Sequence, residues 1–215
     1  MFDLGRTFLA AVERSPDATA ITDGERRLSY TSWCTEIARV AGGLAVLGLR
    51  HGDRLAVILQ NRLEMASLHW ACQFAGIIVT PLNWRIKPEE LDYCFADADA
   101  AAIVFDDVAA DTVARAAAAQ RVPRIAIGNI DGATCRFEDL QGGANGFAPR
   151  AGPEDLSLLL YTSGRPGGRR ACRACTAPSA PPPSPMSRRT CTPAAREPSA
   201  SCPSTTRWAS VRCWR

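Results

Sequence analysis

The apolar positions of the first 164 residues fall into short blocks whose period changes from one block to the next. Phe2, Leu4, Phe8, Leu9 and Val12 recur near helical spacing, and Pro16 with Asp17 stops that helix. Residues 19–22 and 27–30 then read as the two strands of a hairpin. Thr31 or Ser32 can cap the next helix, which carries Trp33, Ile37, Val40, Ala41, Leu44 and Leu47 on one side and ends near Gly48. An unbroken apolar run at residues 55–59 predicts a buried strand. Residues 62–75 predict a helix with Leu63, Ser67, Trp70, Ala71 and Phe74 along its inner face, and residues 77–79 a second buried strand.

The same rhythm continues with a helix over 87–98, a strand over 102–105, a helix over 107–119 and a strand over 124–127. Strands and helices alternating at such short intervals predict an α/β fold, a mainly parallel sheet with flanking helices and right-handed crossovers. Residues 128–153 contain Gly128, Gly132, Gly142, Gly143, Gly146 and Pro149 and read as a connection. One more buried strand, residues 156–161, runs directly into Thr162-Ser163-Gly164. A strand that empties into a turn of small residues is where α/β proteins hold ligands.

Composition changes the picture at one place. The 215 residues are 47% apolar and 22% charged, enough for one domain or one and a half. No stretch approaches the roughly 20 apolar residues of a membrane span, and Asp3, Arg6, Glu13 and Arg14 stand where an export signal would be apolar. A cytoplasmic protein with nine reduced cysteines is expected. The net charge of +3 conceals a division: residues 1–164 hold 15 basic and 21 acidic side chains, net −6, whereas residues 165–215 hold 10 arginines and Glu197 alone, net +9. Those last 51 residues contain no Leu, Ile, Phe, Tyr, Lys or Asp, but nine of the 15 prolines and five of the nine cysteines. Such a segment cannot bury a core, so a basic, Pro/Arg/Ala-rich and disordered tail is expected to follow an ordered region at 1–164.

Residues 1–164 resemble the AMP-forming acyl- and aryl-CoA synthetases, within the adenylate-forming enzymes. The resemblance rests on Leu28-Ser29-Tyr30, on Gly52-Asp53-Arg54-Leu55-Ala56-Val57 followed by Asn61, on Gly76 with Thr80-Pro81-Leu82-Asn83, and most specifically on Leu160-Tyr161-Thr162-Ser163-Gly164. It implies the N-terminal part of the synthetases' large domain, and Thr162, Ser163 and Gly164 as the remnant of a loop that holds the phosphates of ATP. For full-length relatives it implies ATP with Mg²⁺, CoA as co-substrate and a small-molecule carboxylic acid. Members of the family continue with Thr-Thr-Gly-x-Pro-Lys-Gly, whereas this chain continues Arg165-Pro166-Gly167-Gly168-Arg169-Arg170. The loop lysine is missing, and an arginine is not interchangeable with it.

The family's sequence and the composition depart together, right after Gly164, which suggests a shifted reading frame. With one base restored after the Gly164 codon, a permitted codon spelling of residues 165–173 reads TTGRPKGVP, which joins the preceding residues as YTSGTTGRPKGVP. In the same shift residues 201–212 can be respelled VMPLYHTMGVRS, similar to the stretch lining the acyl side of the family's pocket. An Arg-to-Lys ratio of 24 to 1 fits a GC-rich coding sequence, which out of frame yields Arg, Pro, Ala, Ser and Cys. The expectation is a truncated acid–CoA ligase, inactive on its own, with no catalytic and no metal-ligating residue.

Other readings compete with this one. Cys172-Arg173-Ala174-Cys175 has the spacing of half a zinc site, but Cys191, Cys202 and Cys213 are scattered singly. The arginines could form a nucleic-acid-binding arm, since phosphate neutralisation needs only positive charge. A non-catalytic paralogue could instead dock on an intact synthetase. His51 in a turn and His69 on a helix read as surface or packing residues.

Overall fold

The computed structural model describes residues 4–140, 150–162 and 170–175. Helix α1 (Leu4–Arg14) buries Phe8, whose ring centroid lies 4.7 Å from that of Trp70, 5.4 Å from Trp33 and 5.9 Å from Phe74. Such tilted and edge-on aromatic contacts add stability beyond the area they bury. Strands β1 (Thr19–Asp23) and β2 (Arg26–Ser29) form the expected antiparallel hairpin. Helix α2 (Tyr30–Val46) is capped by Ser29, whose Oγ accepts the Ser32 N–H at 3.2 Å, rather than by Thr31 or Ser32. The extended backbone of Ser29 at the end of β2 already has the geometry an N-cap needs, so the strand passes straight into the helix.

A single mainly parallel sheet organises the rest. Its strands are β3 (Arg54–Ile58), β4 (Ile78–Pro81), β5 (Ala100–Phe105), β6 (Arg124–Ala126), β7 (Cys135–Arg136), β8 (Leu156–Thr162) and β9 (Arg170–Cys175), in the spatial order β7-β6-β5-β3-β4-β8-β9. Every pairing is parallel except β8 with β9. Helix α3 (Leu63–Ala75) carries the chain from β3 to β4, and α4 (Pro88–Ala98) from β4 to β5. Leu55, Val57, Val79, Val104 and Ile125 pack with α1, α2 and α3 on one face, and Ala56, Ile58, Ile103, Phe105 and Ala126 pack with α4 on the other. Burial on both faces is why these strands read as unbroken apolar runs.

Two glycines are fixed by close approach. Gly76 ends α3 in the left-handed region at φ +72°, and a Cβ there would lie 2.1 Å from the His51 ring. Gly43 of α2 lies so near Leu140 that a Cβ would come within 2.7 Å of that side chain. No helix among the described residues is long and apolar enough to cross a membrane.

The structure departs from the sequence pattern in three further places. The expected helix over 107–119 is broken: α5 spans only Ala110–Arg115, and Ala116 is extended. The Asp92 carboxylate of α4 accepts the N–H groups of Ala117 and Ala118, at 3.3 and 2.8 Å, and so takes over donors that a longer helix would use internally. Within the expected connection, β7 pairs with β6, and Phe137 and Leu140 are buried. Residues 170–175, placed in the unstructured tail by composition, form β9.

Candidate functional site

In an open parallel sheet the ligand crevice lies beyond the carboxyl ends of the strands, near the point where successive crossovers diverge. Here the crossover from β3 goes to β4, while β5 leads away on the other side to β6, so β3 and β5 flank that point. At their carboxyl ends the Gln60 N–H donates to Asp106 Oδ2 at 3.1 Å. Asp106 is 1% exposed, and its Oδ1 has no hydrogen-bond partner among the described residues. A buried carboxylate oxygen without a donor is costly, which marks this end of the sheet as polar and unfinished.

Next in order, the chain leaving β4 turns at Asn83, whose Oδ1 accepts the Arg85 N–H at 3.0 Å. The Arg85 guanidinium lies 4.0 Å over the Trp84 ring. It is exposed and forms no ion pair with a described residue, so its donors face solvent at the carboxyl edge. The Leu82 N–H donates to Val57 O at 2.8 Å and ties this segment to β3.

Beside β4, strand β8 delivers the residues that the sequence singled out. Its penultimate residue, Tyr161, donates its hydroxyl to Asp97 Oδ2 at 2.7 Å and is 3.4 Å from Cys94 O, both on α4. Partial burial, and then the Asp97 carboxylate, push the phenol well above its usual range, so it remains a donor. The carboxyl end of β8 is thereby pinned to α4. Thr162 is the last residue of β8, with its backbone in register with Arg170 at the start of β9. Ser163 and Gly164 lie outside the described residues.

The two histidines stand elsewhere. His51 precedes β3, at the amino end of the sheet, with Nε2 2.9 Å from Asp155 Oδ2. Asp155 also accepts the Gly152 N–H at 2.7 Å, and that bond, followed by the one from His51, holds its carboxyl below the usual range. His69 of α3 is edge-on to Trp70 at 5.5 Å, and burial lowers its pKa. Among the described residues no three His, Cys, Asp or Glu side chains converge as a metal site. Cys172 and Cys175 belong to a strand, not to the turn a Cys-x-x-Cys chelate uses. A separate pocket of about 190 Å³ lies among the first hairpin, α2, α3 and the segment after β7, lined by Arg26, Glu36, Arg39, Glu64 and Glu138. Much of its charge is already matched, Arg26 to Glu36 at 2.7 Å and Glu64 to Arg62 at 2.6 Å.

Sequence patterns missed Asp106, Arg85 over Trp84, and the Tyr161–Asp97 contact. The only local signal was position: each lies at or just after the carboxyl end of a strand.

Comparison with known proteins agrees with this architecture. The family model described as AMP-binding enzyme matches residues 8–167. A feruloyl-CoA synthase of Amycolatopsis sp is 36% identical over 164 residues, covering 76% of this chain and 31% of that protein. A long-chain-fatty-acid–CoA ligase of Mycobacterium tuberculosis is 27% identical over 142 residues, 66% of this chain and 28% of that protein. Among solved structures, one described as a long-chain-fatty-acid CoA ligase from Rhodopseudomonas palustris superposes with a TM-score of 0.70 at 26% identity, over 81% of this chain and 44% of that chain. A benzoate CoA ligase from Burkholderia xenovorans, at 18% identity and a TM-score of 0.70, shares the fold. The chain thus spans about a third of the length of the curated relatives it matches.

Proposed function

We propose, for a chain that belongs to the AMP-binding enzyme family, that residues 1–164 are the N-terminal part of an acid–CoA ligase and that residues 165–215 are its continuation written in a shifted frame. The complete enzyme would join a small carboxylic acid to CoA. The carboxylate attacks the α-phosphate of ATP, pyrophosphate leaves, and the CoA thiol then displaces AMP from the acyl-adenylate. ATP and CoA are cytoplasmic substrates, in keeping with the expected location.

The observation that carries this proposal is a coincidence of three boundaries. The family match ends at residue 167, the composition changes after residue 164, and the segment that links the antiparallel strands β8 and β9 lies between Thr162 and Arg170. With one base restored, residues 163–169 read Ser-Gly-Thr-Thr-Gly-Arg-Pro, and a lysine falls at position 170, whose backbone is in register with Thr162. That is the place for a cation at the mouth of a phosphate-holding loop. Tyr161, held by Asp97, fixes the strand from which the loop springs.

The described residues do not converge on a resident metal, so no step is assigned to one; Mg²⁺ belongs with the triphosphate as substrate. The 215-residue chain, which spans about a third of the length of the curated relatives it matches, is expected to form no acyl-adenylate on its own. Pyrophosphate exchange across aromatic, short and long-chain acids tests this, with background rates expected for every acid. Turnover with any one acid would show that the rest of the relatives' length is dispensable.

A further inference from the structure

We infer that three side-chain bonds spaced along β8 lock its register against β4, and that the buried pair Gln73–Ser157 is the one that selects it. The inference concerns residues 155–161 as they stand and does not depend on the frame proposed above.

The apolar pattern leaves that register open. Strand β8 reads Leu156-Ser157-Leu158-Leu159-Leu160-Tyr161-Thr162, seven residues beside the four of β4. The two run parallel, in register at Val79 with Leu158. A slip of one residue would turn every side chain of β8 to the opposite face, but a slip of two keeps the faces. It would set Leu160 or Leu156 opposite Val79 in place of Leu158, one leucine for another. Strand β9 pairs with β8 and not with β4, so it can travel with β8 and does not hold this register.

The three bonds tie the strand to three different elements. Asp155, the residue before β8, has Oδ2 2.9 Å from Nε2 of His51, ahead of β3. Gln73 of α3 donates from Nε2 to Ser157 Oγ. Tyr161 donates to Asp97 of α4 at 2.7 Å. A two-residue slip moves the strand by about 7 Å and breaks all three at once. The middle bond discriminates most. Gln73 and Ser157 are 2% and 4% exposed, and Gln73 Oε1 has no hydrogen-bond partner among the described residues. A slip that brought Leu159 to the place of Ser157 would leave the whole Gln73 amide buried without a partner, which is costly. A lone polar pair in apolar surroundings is well suited to fixing register. The register in turn decides where Thr162, and the chain after it, leave the sheet.

The test is NMR on the full 215-residue chain with labelled Leu and Val methyls, reading the contacts of Val79. The unaltered chain is expected to show Val79 against Leu158 in one register. Asp155→Ala/Tyr161→Phe removes the two outer bonds and is expected to keep that contact, because Gln73 still holds Ser157. Adding Ser157→Leu/Leu159→Ser to it leaves the composition of the strand unchanged but moves the serine two places on. Gln73 should then take residue 159, and the major contact of Val79 should shift to Leu160. A swapped variant whose major contact remains Val79 with Leu158, or one that loses its folded methyl spectrum, overturns the lock. So does an Asp155→Ala/Tyr161→Phe chain that has already left the Val79–Leu158 register, or an unaltered chain that shows two.

Discussion

The Tyr161 hydroxyl donates to the Asp97 carboxylate across 2.7 Å, joining the last turn of α4 to the strand that leads into the candidate phosphate loop. The two residues are 64 positions apart, so the bond ties together elements that are distant in the chain. Replacing Tyr161 by Phe is expected to cost about 0.5–1.5 kcal/mol, the net range for a typical hydrogen bond, because the contact is exposed to solvent. Urea denaturation at pH 7 of the full chain measures it.

The same phenol gives a pH dependence with a definite sign. Its pKa is raised on folding, so its contribution is complete below the unfolded value of about 10 and is lost as pH rises through the higher folded value. Stability should therefore fall above about pH 10 more steeply in the parent chain than in Tyr161→Phe. Parallel stability curves for the two above that pH would contradict the assignment.

At the opposite end of the sheet, Gly76→Ala meets two obstacles: φ of +72° and the His51 ring 2.1 Å from the new Cβ. A loss of about 1–3 kcal/mol is expected. Adding His51→Ala should restore only the part due to the clash, because the left-handed backbone remains. A double-mutant denaturation cycle separates the two.

Asp155 offers an acid-side counterpart. Its lowered pKa, caused first by the Gly152 N–H and then by His51, gives stability that is present above the unfolded value of about 3.9 and is lost as pH falls through the lower folded value. Asp155→Asn should flatten the stability profile below about pH 4, read by thermal melts across that range.

Much of the fold was legible because its strands are buried on both faces: Leu55 to Ile58 and Ile103 to Phe105 carry an apolar signal that does not depend on distant partners. What escaped was decided at a distance. Asp92 of α4 stops α5 through the N–H groups of Ala117 and Ala118, and no pattern within residues 107–119 encodes that competition. Strand β7, Cys135–Arg136, is too short for any periodicity. Strand β9 ran against composition, because pairing along β8 supplies what the arginine-rich sequence lacks. As for the site, Thr162 could be placed from the strand before it, whereas the Tyr161–Asp97 contact and the orphaned Asp106 oxygen required the packed sheet.

The nucleotide sequence at and beyond the Gly164 codon tests the central claim most directly. With one base restored immediately after that codon, the account predicts a frame that begins TTGRPKG, passes through a Pro-Leu-Tyr-His element and continues for the remaining two thirds of a CoA ligase. A genomic frame that ends at Arg215, with no ligase sequence downstream in the shifted frame, would contradict it.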